Sequence, residues 1–454
     1  MSPAAAVAGR TRAMLEGPLA PTLFRMATPN VLGLAATTVV IGYDGYIVGR
    51  LGPEPLAGIA LVLPLAMLMT QMSAGGMGGA TTAVVARALG AGRRDDAVDL
   101  ARHALLIALA LGMAFCLAMA VAGPAVFAAM GGREPALAAA LAYSNVLFGG
   151  ALVVWIANIL AAIVRGAGNM GLPSMLLGGS ACLHLALCPL LVFGAGPLPG
   201  LGIAGAAAST LATSALTAAV LAAHLFSGRS AIPLRMAAFR PAAAPLRAIL
   251  HIGVPASFSP VISNLSIATA TALVGTFGTA ALAGYGLAAR LEYVMVPIAF
   301  GFGTALTTLV ATNMGAGQRG RALRAAWVGG FTVAGITGLI GIAAAFAPGL
   351  WMDRFTGTAD VIAFGADYLR IVGGCYGFFG LGLALFFASQ GAGRMFWPLA
   401  GSLARLLIVA GGGWLAVRAA GAGPTVLFVV IAASFAAYAL TIAGAIRLGA
   451  WARR

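Results

Sequence analysis

The chain has 454 residues, of which 61% are hydrophobic and only 8% are charged, and its mean hydropathy is +1.00. A soluble globular domain carries about 25% charged residues, so this composition excludes that class and indicates a protein embedded in a membrane. The net charge of +15 rests entirely on arginine, because the sequence contains no lysine.

Long apolar runs dominate the sequence and predict its elements in chain order. A spanning helix needs about 20 apolar residues, whereas the strands of a membrane β-barrel alternate over about ten. Divided at its charges, prolines and glycines, the sequence predicts an all-α integral membrane protein with twelve spanning helices. They are predicted at 26–48, 56–82, 99–122, 136–163, 171–193, 203–226, 248–275, 282–311, 323–347, 361–389, 396–417 and 425–447.

The arginines are concentrated on one side of this predicted topology. Four of them, Arg50, Arg133, Arg354 and Arg418, fall in odd-numbered loops. Because basic residues are retained in the cytoplasm, the far larger opposite set places both termini there. We therefore expect a multi-pass protein of the cell membrane, the inner membrane of a bacterium, whose arginines contact anionic lipid and not nucleic acid. The opposite set is Arg10, Arg12, Arg25, Arg87, Arg93, Arg94, Arg102, Arg165, Arg229, Arg235, Arg240, Arg247, Arg319, Arg321, Arg324, Arg394, Arg447, Arg453 and Arg454.

The sequence offers little sign of redox or nucleotide chemistry. Cys116, Cys182, Cys188 and Cys375 all fall in predicted helices, which favours small buried groups over a disulfide framework. Two GxGxxG stretches occur, but neither follows a strand of a βαβ unit, and no Walker motif is present. We predict no cofactor and no direct drive by ATP.

The sequence also repeats itself after about 225 residues. The spacing is 226 at the first pair of motifs and 225 at the later ones. A constant spacing over separated motifs indicates two homologous halves. The recurring pairs are Val48–Gly52 with Val274–Gly278, Gly90–Gly92 with Gly315–Gly317, Tyr143 with Tyr368, and Arg165–Gly168 with Gln390–Gly393.

Six helices in each half bring both halves into the membrane in the same direction. They should therefore be related by a pseudo-twofold axis along the membrane normal, and halves of this kind enclose a midplane site in transporters. The predicted division is an N-terminal lobe at 1–226, a cytoplasmic linker at 227–245 and a C-terminal lobe at 246–454.

Asp44 is the only ionised residue in the first predicted span. A carboxylate at membrane depth is costly, so such residues usually face a bundle interior or a wet cavity. We interpret Asp44 as a proton or cation site; the alternative is a helix end that reaches interfacial water. The repeat places Ala270 opposite Asp44, so the second lobe lacks this acid. Its own candidate, Glu292 beside Arg290, is interpreted as structural.

A set of short motifs occurs along residues 15–450: Pro29, Asp44-Gly45, Leu51-Gly52, Leu56-Ala57, Gly90–Gly92, Gly315–Gln318, Arg165–Asn169 and Gly202–Thr210. In this order and spacing they resemble the multidrug and toxic compound extrusion (MATE) family. The resemblance implies a twelve-helix, two-lobe exporter of organic cations driven by protons or sodium ions. It is closest to the branch named for the DNA-damage-inducible protein F.

The resemblance also implies an ion-coupling cluster in the first lobe. The family's first-helix aspartate matches Asp44, its fourth-helix tyrosine Tyr143 and its sixth-helix threonine Thr210. Its fifth helix normally carries Asn-x-x-x-Asp-Pro, but here those two positions hold His184 and Cys188. The usual network is therefore altered. The other branch carries an acid early in the seventh helix, where this chain has a serine.

His184 and Cys188 are four residues apart and share one helix face. They could begin a metal site, but no third ligand is evident in the sequence, so we predict none. His184 is interpreted as either a satisfied core residue or a group that titrates with Asp44. Imidazole and thiol suit sodium poorly, whereas a proton needs only a titratable group with partners. The sequence therefore predicts proton coupling over sodium coupling, through Asp44, His184, Tyr143, Thr210 and Cys188.

Aromatic and thioether side chains suggest where an organic cargo binds. Aromatic rings attract cations, and methionine adapts to varied ligands. The cargo candidates are Tyr43, Met67, Gln71, Met72 and Trp155, with lipid-facing or core packing as the alternative. Pro29 interrupts the first helix and is predicted to be a hinge, with a static kink as the alternative.

Together these features predict a monomeric secondary antiporter that exports amphipathic organic cations in exchange for protons. The alternatives are a sodium-coupled exporter of the same family, a lipid-linked oligosaccharide flippase and, from another class, a membrane-embedded enzyme that modifies lipid. Few arginines lie within predicted helices, which argues against the basic cavity of a flippase. The acids and histidines show no catalytic grouping beyond Asp44 with His184, which argues against an enzyme.

Overall fold

A computed structural model describes residues 3–196, 198–228, 230, 232–234 and 239–452. The predicted linker at 227–245 is only partly covered. Of the arginines that set the predicted topology, Arg229, Arg235, Arg453 and Arg454 lie outside the described residues.

The described residues form helices almost throughout, with one two-stranded antiparallel ribbon, β1 (Gly194–Ala195) with β2 (Leu198–Pro199). We number the helices in chain order. They are α1 (Pro3–Glu16), α2 (Leu19–Gly49), α3 (Pro53–Gly90), α4 (Arg94–Ala129), α5 (Ala136–Gly149), α6 (Ala151–Gly166), α7 (Gly171–Phe193), α8 (Ile203–Phe226), α9 (Ala243–Gly275), α10 (Thr279–Gly315), α11 (Arg319–Phe346), α12 (Gly349–Met352), α13 (Ala359–Ala392), α14 (Phe396–Ala419) and α15 (Pro424–Arg447).

The predicted all-α membrane fold is confirmed. Within the described residues, eleven helices are long and apolar enough to cross a membrane, and α5 with α6, bent by 46°, completes a twelfth span. The bounds of α7 and α8 coincide with those predicted. Other spans are longer than predicted, because helices continue beyond their apolar stretch into charged turns such as the one that opens α4 at Arg94.

The repeat in the sequence is also a repeat of contacts. In the first half, Thr82 donates its hydroxyl to the carbonyl oxygen of Ala162 at 2.9 Å. In the second half, Thr307 donates to the carbonyl oxygen of Phe387 at 3.0 Å. Both members of the second pair lie 225 residues after those of the first, so each half packs corresponding helices in the same way.

Close backbone approach joins the two halves at one end of the bundle. A side chain on Gly90 would overlap the carbonyl oxygen of Thr312, and one on Gly315 would overlap that of Arg87. Gly90 and Gly315 are the corresponding residues of the repeated Gly-Ala-Gly motif. We call this contact the seam; it needs glycine because backbone meets backbone with no room for Cβ.

Hydrogen bonds between the halves reinforce the seam. The side-chain amide of Gln390 donates to the carbonyl oxygens of Gly75 and Gly76, at 2.9 and 3.2 Å. These glycines lie in a π-helical turn of α3, Gln71–Met77, where the usual helical bonding is interrupted. Arg87 donates to the carbonyl oxygen of Gly391 at 2.9 Å. Polar groups freed in one half are thus satisfied by the other.

The N-terminal helix α1 lies across the same seam. Its Met14 is 4% exposed and packs at Gly168 in the first half. The carbonyl oxygen of Met14 accepts hydrogen bonds from Asn313 at 3.2 Å and from Arg321, both in the second half. Arg321 also donates to the carbonyl oxygen of Gly17. One short segment therefore touches both halves where they meet.

Candidate functional site

Helices α2, α7 and α8 of the first half bring together the residues of the candidate site. Asp44 lies on α2, His184 and Cys188 lie on α7, and Ser209 lies on α8. We call these four residues the Asp44 cluster. Helices α2 and α7 pack against each other and α8 packs against α7, so residues far apart in sequence meet inside the lobe.

The cluster is a chain of short polar contacts. Oδ1 of Asp44 lies 2.7 Å from Nε2 of His184, and the thiol of Cys188 donates to the same oxygen at 3.5 Å. The side chain of Asp44 is 13% exposed and that of His184 is 3% exposed. The carboxylate is therefore largely shielded and held by its neighbours, with a small part of it still exposed.

Ser209 belongs to the cluster although the sequence did not single it out. Its Oγ lies 3.0 Å from Nδ1 of His184, so the imidazole has a partner at each nitrogen. The predicted neighbour Thr210 instead donates to the carbonyl oxygen of Ala206, in its own helix. Adjacent helix positions point about 100° apart, so Ser209 and not Thr210 meets His184. The role of Thr210 in ion coupling stays a prediction.

Tyr143 lies within electrostatic reach of Asp44 from α5 and is buried, but its hydroxyl makes no hydrogen bond to Asp44 in the described part of the chain. Tyr143 is therefore close to the Asp44 cluster but makes no direct hydrogen bond to Asp44. Its role in ion coupling stays a prediction.

Asp44, His184 and Cys188 also supply three metal-ligand types within 4.8 Å of one another. The third ligand, which the sequence did not reveal, is thus Asp44 itself. In a tetrahedral zinc site with bonds of about 2.0–2.1 Å, nitrogen and oxygen ligands would lie about 3.3 Å apart. The observed 2.7 Å is the distance of a direct hydrogen bond. The geometry thus fits a shared proton better than a metal ion.

The candidate cargo residues divide into two groups. Tyr43, Met67, Gln71 and Met72 are all partly exposed, on α2 and α3, and remain candidates. Trp155 is 1% exposed and packs inside the first lobe, where Cβ of a residue at Gly112 would touch it. A ring so enclosed fits the alternative of core packing, and the role of Trp155 as a cargo contact stays a prediction.

Pro29 lies inside the continuous helix α2, next to a polar link between the halves. The amide of Asn30 donates to Oγ1 of Thr304 on α10 at 2.9 Å, and its Oδ1 accepts from Ser174 on α7 at 2.7 Å. Helix α2 therefore carries the Asp44 cluster toward one end and a bond to the second half toward the other. The role of Pro29 as a hinge stays a prediction.

The second half carries a different acid. Ala270, opposite Asp44 in the repeat, is buried, whereas Glu292 on α10 accepts a hydrogen bond from the hydroxyl of Tyr368 at 2.6 Å. Arg290 is exposed and points elsewhere. This bond fits the structural interpretation of Glu292.

The sequence of the chain matches a protein-family model in both of its halves. The MatE family model matches residues 29–190 and again 255–415, together more than half of the chain. The chain belongs to the MatE family. The two matches begin and end at the spacing of the sequence repeat, so each half corresponds to one copy of the MatE unit.

Named relatives and solved structures agree with this membership. A protein of Shewanella oneidensis named FAD transporter is 27% identical over 381 residues, 83% of this chain and 82% of the relative. A probable multidrug resistance protein NorM of Rhizobium meliloti is 28% identical over 373 residues, 78% of each. A crystal structure of MATE in the bent conformation has a TM-score of 0.89 at 23% identity, covering 97% of this chain and 98% of that one.

MatE membership settles the class of protein. The chain is a membrane transporter of the MATE fold and not an enzyme, which removes the lipid-modifying alternative. The assignment to the branch named for the DNA-damage-inducible protein F and the division at 227–245 stay predictions.

Proposed function

We propose that this MatE-family chain is a secondary antiporter that exports amphipathic organic cations in exchange for protons. Multidrug resistance proteins among its relatives support the cargo class. The observation that carries the proposal is the contact between Asp44 and His184, a carboxylate and an imidazole 2.7 Å apart within membrane-spanning helices.

A carboxylate and an imidazole in direct contact can take up and release a proton as one unit, because in so close a pair the protons are shared by both groups. Protonation removes the net negative charge that would otherwise attract a cation. Proton and cationic cargo therefore compete for one charge, which is the basis of exchange.

The composition of the Asp44 cluster favours protons over sodium ions. Hard cations take several oxygen ligands, by analogy with calcium and magnesium. Here the carboxylate of Asp44 contacts an imidazole and a thiol, neither of which is an oxygen ligand. Its Oδ1 already takes part in the hydrogen bond with the imidazole. A sodium ion would have to displace that hydrogen bond and find most of its ligands elsewhere.

The distribution of arginines supports cytoplasmic termini, with the seam on the cytoplasmic side. The seam residues Gly90, Gly315 and Gln390 all sit at helix ends beside the arginine-rich loops. In this proposal the structure corresponds to a state closed toward the cytoplasm. Helix α2, which joins the Asp44 cluster to Asn30 at the lobe contact, would transmit proton loading to the seam.

A second cargo class has specific support. The relative named FAD transporter aligns with 83% of this chain, and FAD is an aromatic anion rather than a cation. The buried Arg405 of the second lobe lies 4.5 Å from the ring centroid of Phe435 and is a positive group that an anionic cargo would favour, although the acid Glu292 lies within its electrostatic reach. Whether the protein transports cations or anions distinguishes the two candidate cargo classes.

The proposal is tested with purified protein in liposomes under an imposed pH gradient. Asp44→Asn should abolish proton-driven efflux of a cationic dye while the protein stays folded and inserted. The matched control is Asp367→Asn, which neutralises an exposed carboxylate paired with Arg370. Efflux by Asp44→Asn at the control rate would refute proton coupling at this site. Robust efflux under a sodium gradient alone would refute the choice of ion, and FAD transport without dye transport would refute the cargo class.

A further inference from the structure

Ser209 differs from its neighbours Thr210 and Thr213 on α8. Their hydroxyls donate to carbonyl oxygens within their own helix, at 3.2 and 3.1 Å. Thr217, two turns further on, also donates within the helix and meets the hydroxyl of Ser180 on α7 at 2.7 Å. The hydroxyl of Ser209, whose side chain is 0% exposed, lies instead 3.0 Å from Nδ1 of His184 on the neighbouring helix. A fully buried hydroxyl that contacts an imidazole influences which nitrogen carries a proton.

We propose that Ser209 is a positioning residue that enables His184 to take up the transported proton. This inference rests on the proposed proton coupling. A neutral imidazole donates from one nitrogen and accepts at the other, whereas a protonated imidazole donates from both. Nε2 can donate to Asp44 in both states, so Nδ1 must change from acceptor to donor. A hydroxyl can match that change because it both donates and accepts.

The proton is accounted for at each step. Before loading, the Ser209 hydroxyl donates to Nδ1 while Nε2–H donates to Asp44. The incoming proton binds Nδ1, which then donates to the oxygen of Ser209. The hydroxyl hydrogen turns away toward the carbonyl oxygen one helical turn back, the type of acceptor that the neighbouring threonines use. Every buried polar group keeps a partner in both states.

The other titratable groups that face this pair are Cys188, on the same helix as His184, and Tyr143 on α5. Both lie on the side of Asp44 and not at Nδ1. A hydroxyl is therefore the group that meets Nδ1 directly, from α8.

Removal of the hydroxyl should make proton loading harder without removing the site. A hydrogen bond to a charged group is stronger than one to a neutral group, so its loss affects the protonated imidazole more. We expect half-maximal proton-driven efflux to move to lower pH by about one unit. The maximal rate should persist once the pH is low enough.

The experiment measures efflux against pH for Ser209→Val and Ser209→Thr, which have the same shape and differ in the hydroxyl. The valine variant should show the acid shift and the threonine variant the native profile. Ser266→Ala is the control, because Ser266 is equally buried and its hydroxyl bonds within its own helix. In ¹⁵N-histidine-labelled protein, the His184 signal, assigned with His184→Asn, should titrate at lower pH in Ser209→Val.

The outcomes separate the two proposals. If Asp44→Asn retains proton-driven efflux, the proposed function is wrong. If Asp44→Asn loses it while Ser209→Val keeps both the native pH profile and the native histidine titration, Ser209 has no positioning role. An equal acid shift in Ser209→Thr would also overturn the inference, because the hydroxyl would then not be the cause. If Ser209→Val does not fold, the labelled Ser209→Ala protein supplies the same comparison.

Discussion

Removal of Arg321 should weaken the closed seam between the two lobes. Its guanidinium donates to the carbonyl oxygens of Met14 and Gly17, which anchors the N-terminal segment to the second half. The same Met14 packs at Gly168 of the first half. If the lobes separate at the seam during transport, the segment cannot keep both contacts. Arg321→Ala should therefore shift the population toward the open seam.

The size of the shift follows from the bonds that are lost. A hydrogen bond to a charged group contributes about 1.5–3 kcal/mol when buried, and Arg321 is only partly buried, so water replaces part of it. We take about 2 kcal/mol as the combined contribution of these hydrogen bonds, to both acceptors, to the stability of the closed seam. That corresponds to about a 30-fold change in the ratio of closed to open seam.

Hydrogen–deuterium exchange of the protein in lipid nanodiscs measures this opening without new cysteines. Peptides that contain Gly90 or Gly315 should exchange faster in Arg321→Ala. The control is Arg324→Ala, which removes the same charge from an exposed position on the same helix. Equal exchange in the two variants would show that the N-terminal segment does not hold the seam closed.

Three further predictions follow from the packing. Gly90→Ala should reduce efflux because the added Cβ would overlap a backbone carbonyl oxygen, even though alanine favours helix more than glycine does. The control Gly286→Ala, where a Cβ would meet open space, should leave efflux unchanged. Thr307→Val should lower stability by about 1 kcal/mol through the lost bond to Phe387, seen as a lower melting temperature. Trp155→Ala should cost about 3–5 kcal/mol, as expected for an emptied core site. A Trp155→Ala protein with native melting but altered cargo preference would contradict its placement in the core.

The membrane fold could be predicted from the sequence because hydrophobic length alone sets the spans. The bounds of α7 and α8 were predicted to the residue, since glycines mark their ends and starts. The bend between α5 and α6 was not predicted, because the apolar run continues through it without a charge. Hydropathy predicts which segments lie in the membrane but not where a helix bends within it.

The candidate site was predicted in part. The sequence placed His184 and Cys188 on one face and suggested a titrating pair with Asp44 if the helices met, and in the structure they do. It did not single out Ser209, because helical spacing does not give the rotation of α8 relative to α7. The seam contacts and the N-terminal crossing carry no periodic signal, so they could come only from the structure.

The two halves share the same helix packing but differ in their acidic residues. Corresponding threonines, Thr82 and Thr307, make the same bond in each. The acids do not correspond, since Asp44 faces an imidazole and the second half has Ala270 in its place. Because the frame is duplicated, either lobe could move against the other, yet the imidazole–carboxylate pair lies only in the first among the described residues. In the proposed cycle, proton loading therefore acts on one lobe, and α2 carries one of the contacts through which the second lobe can respond.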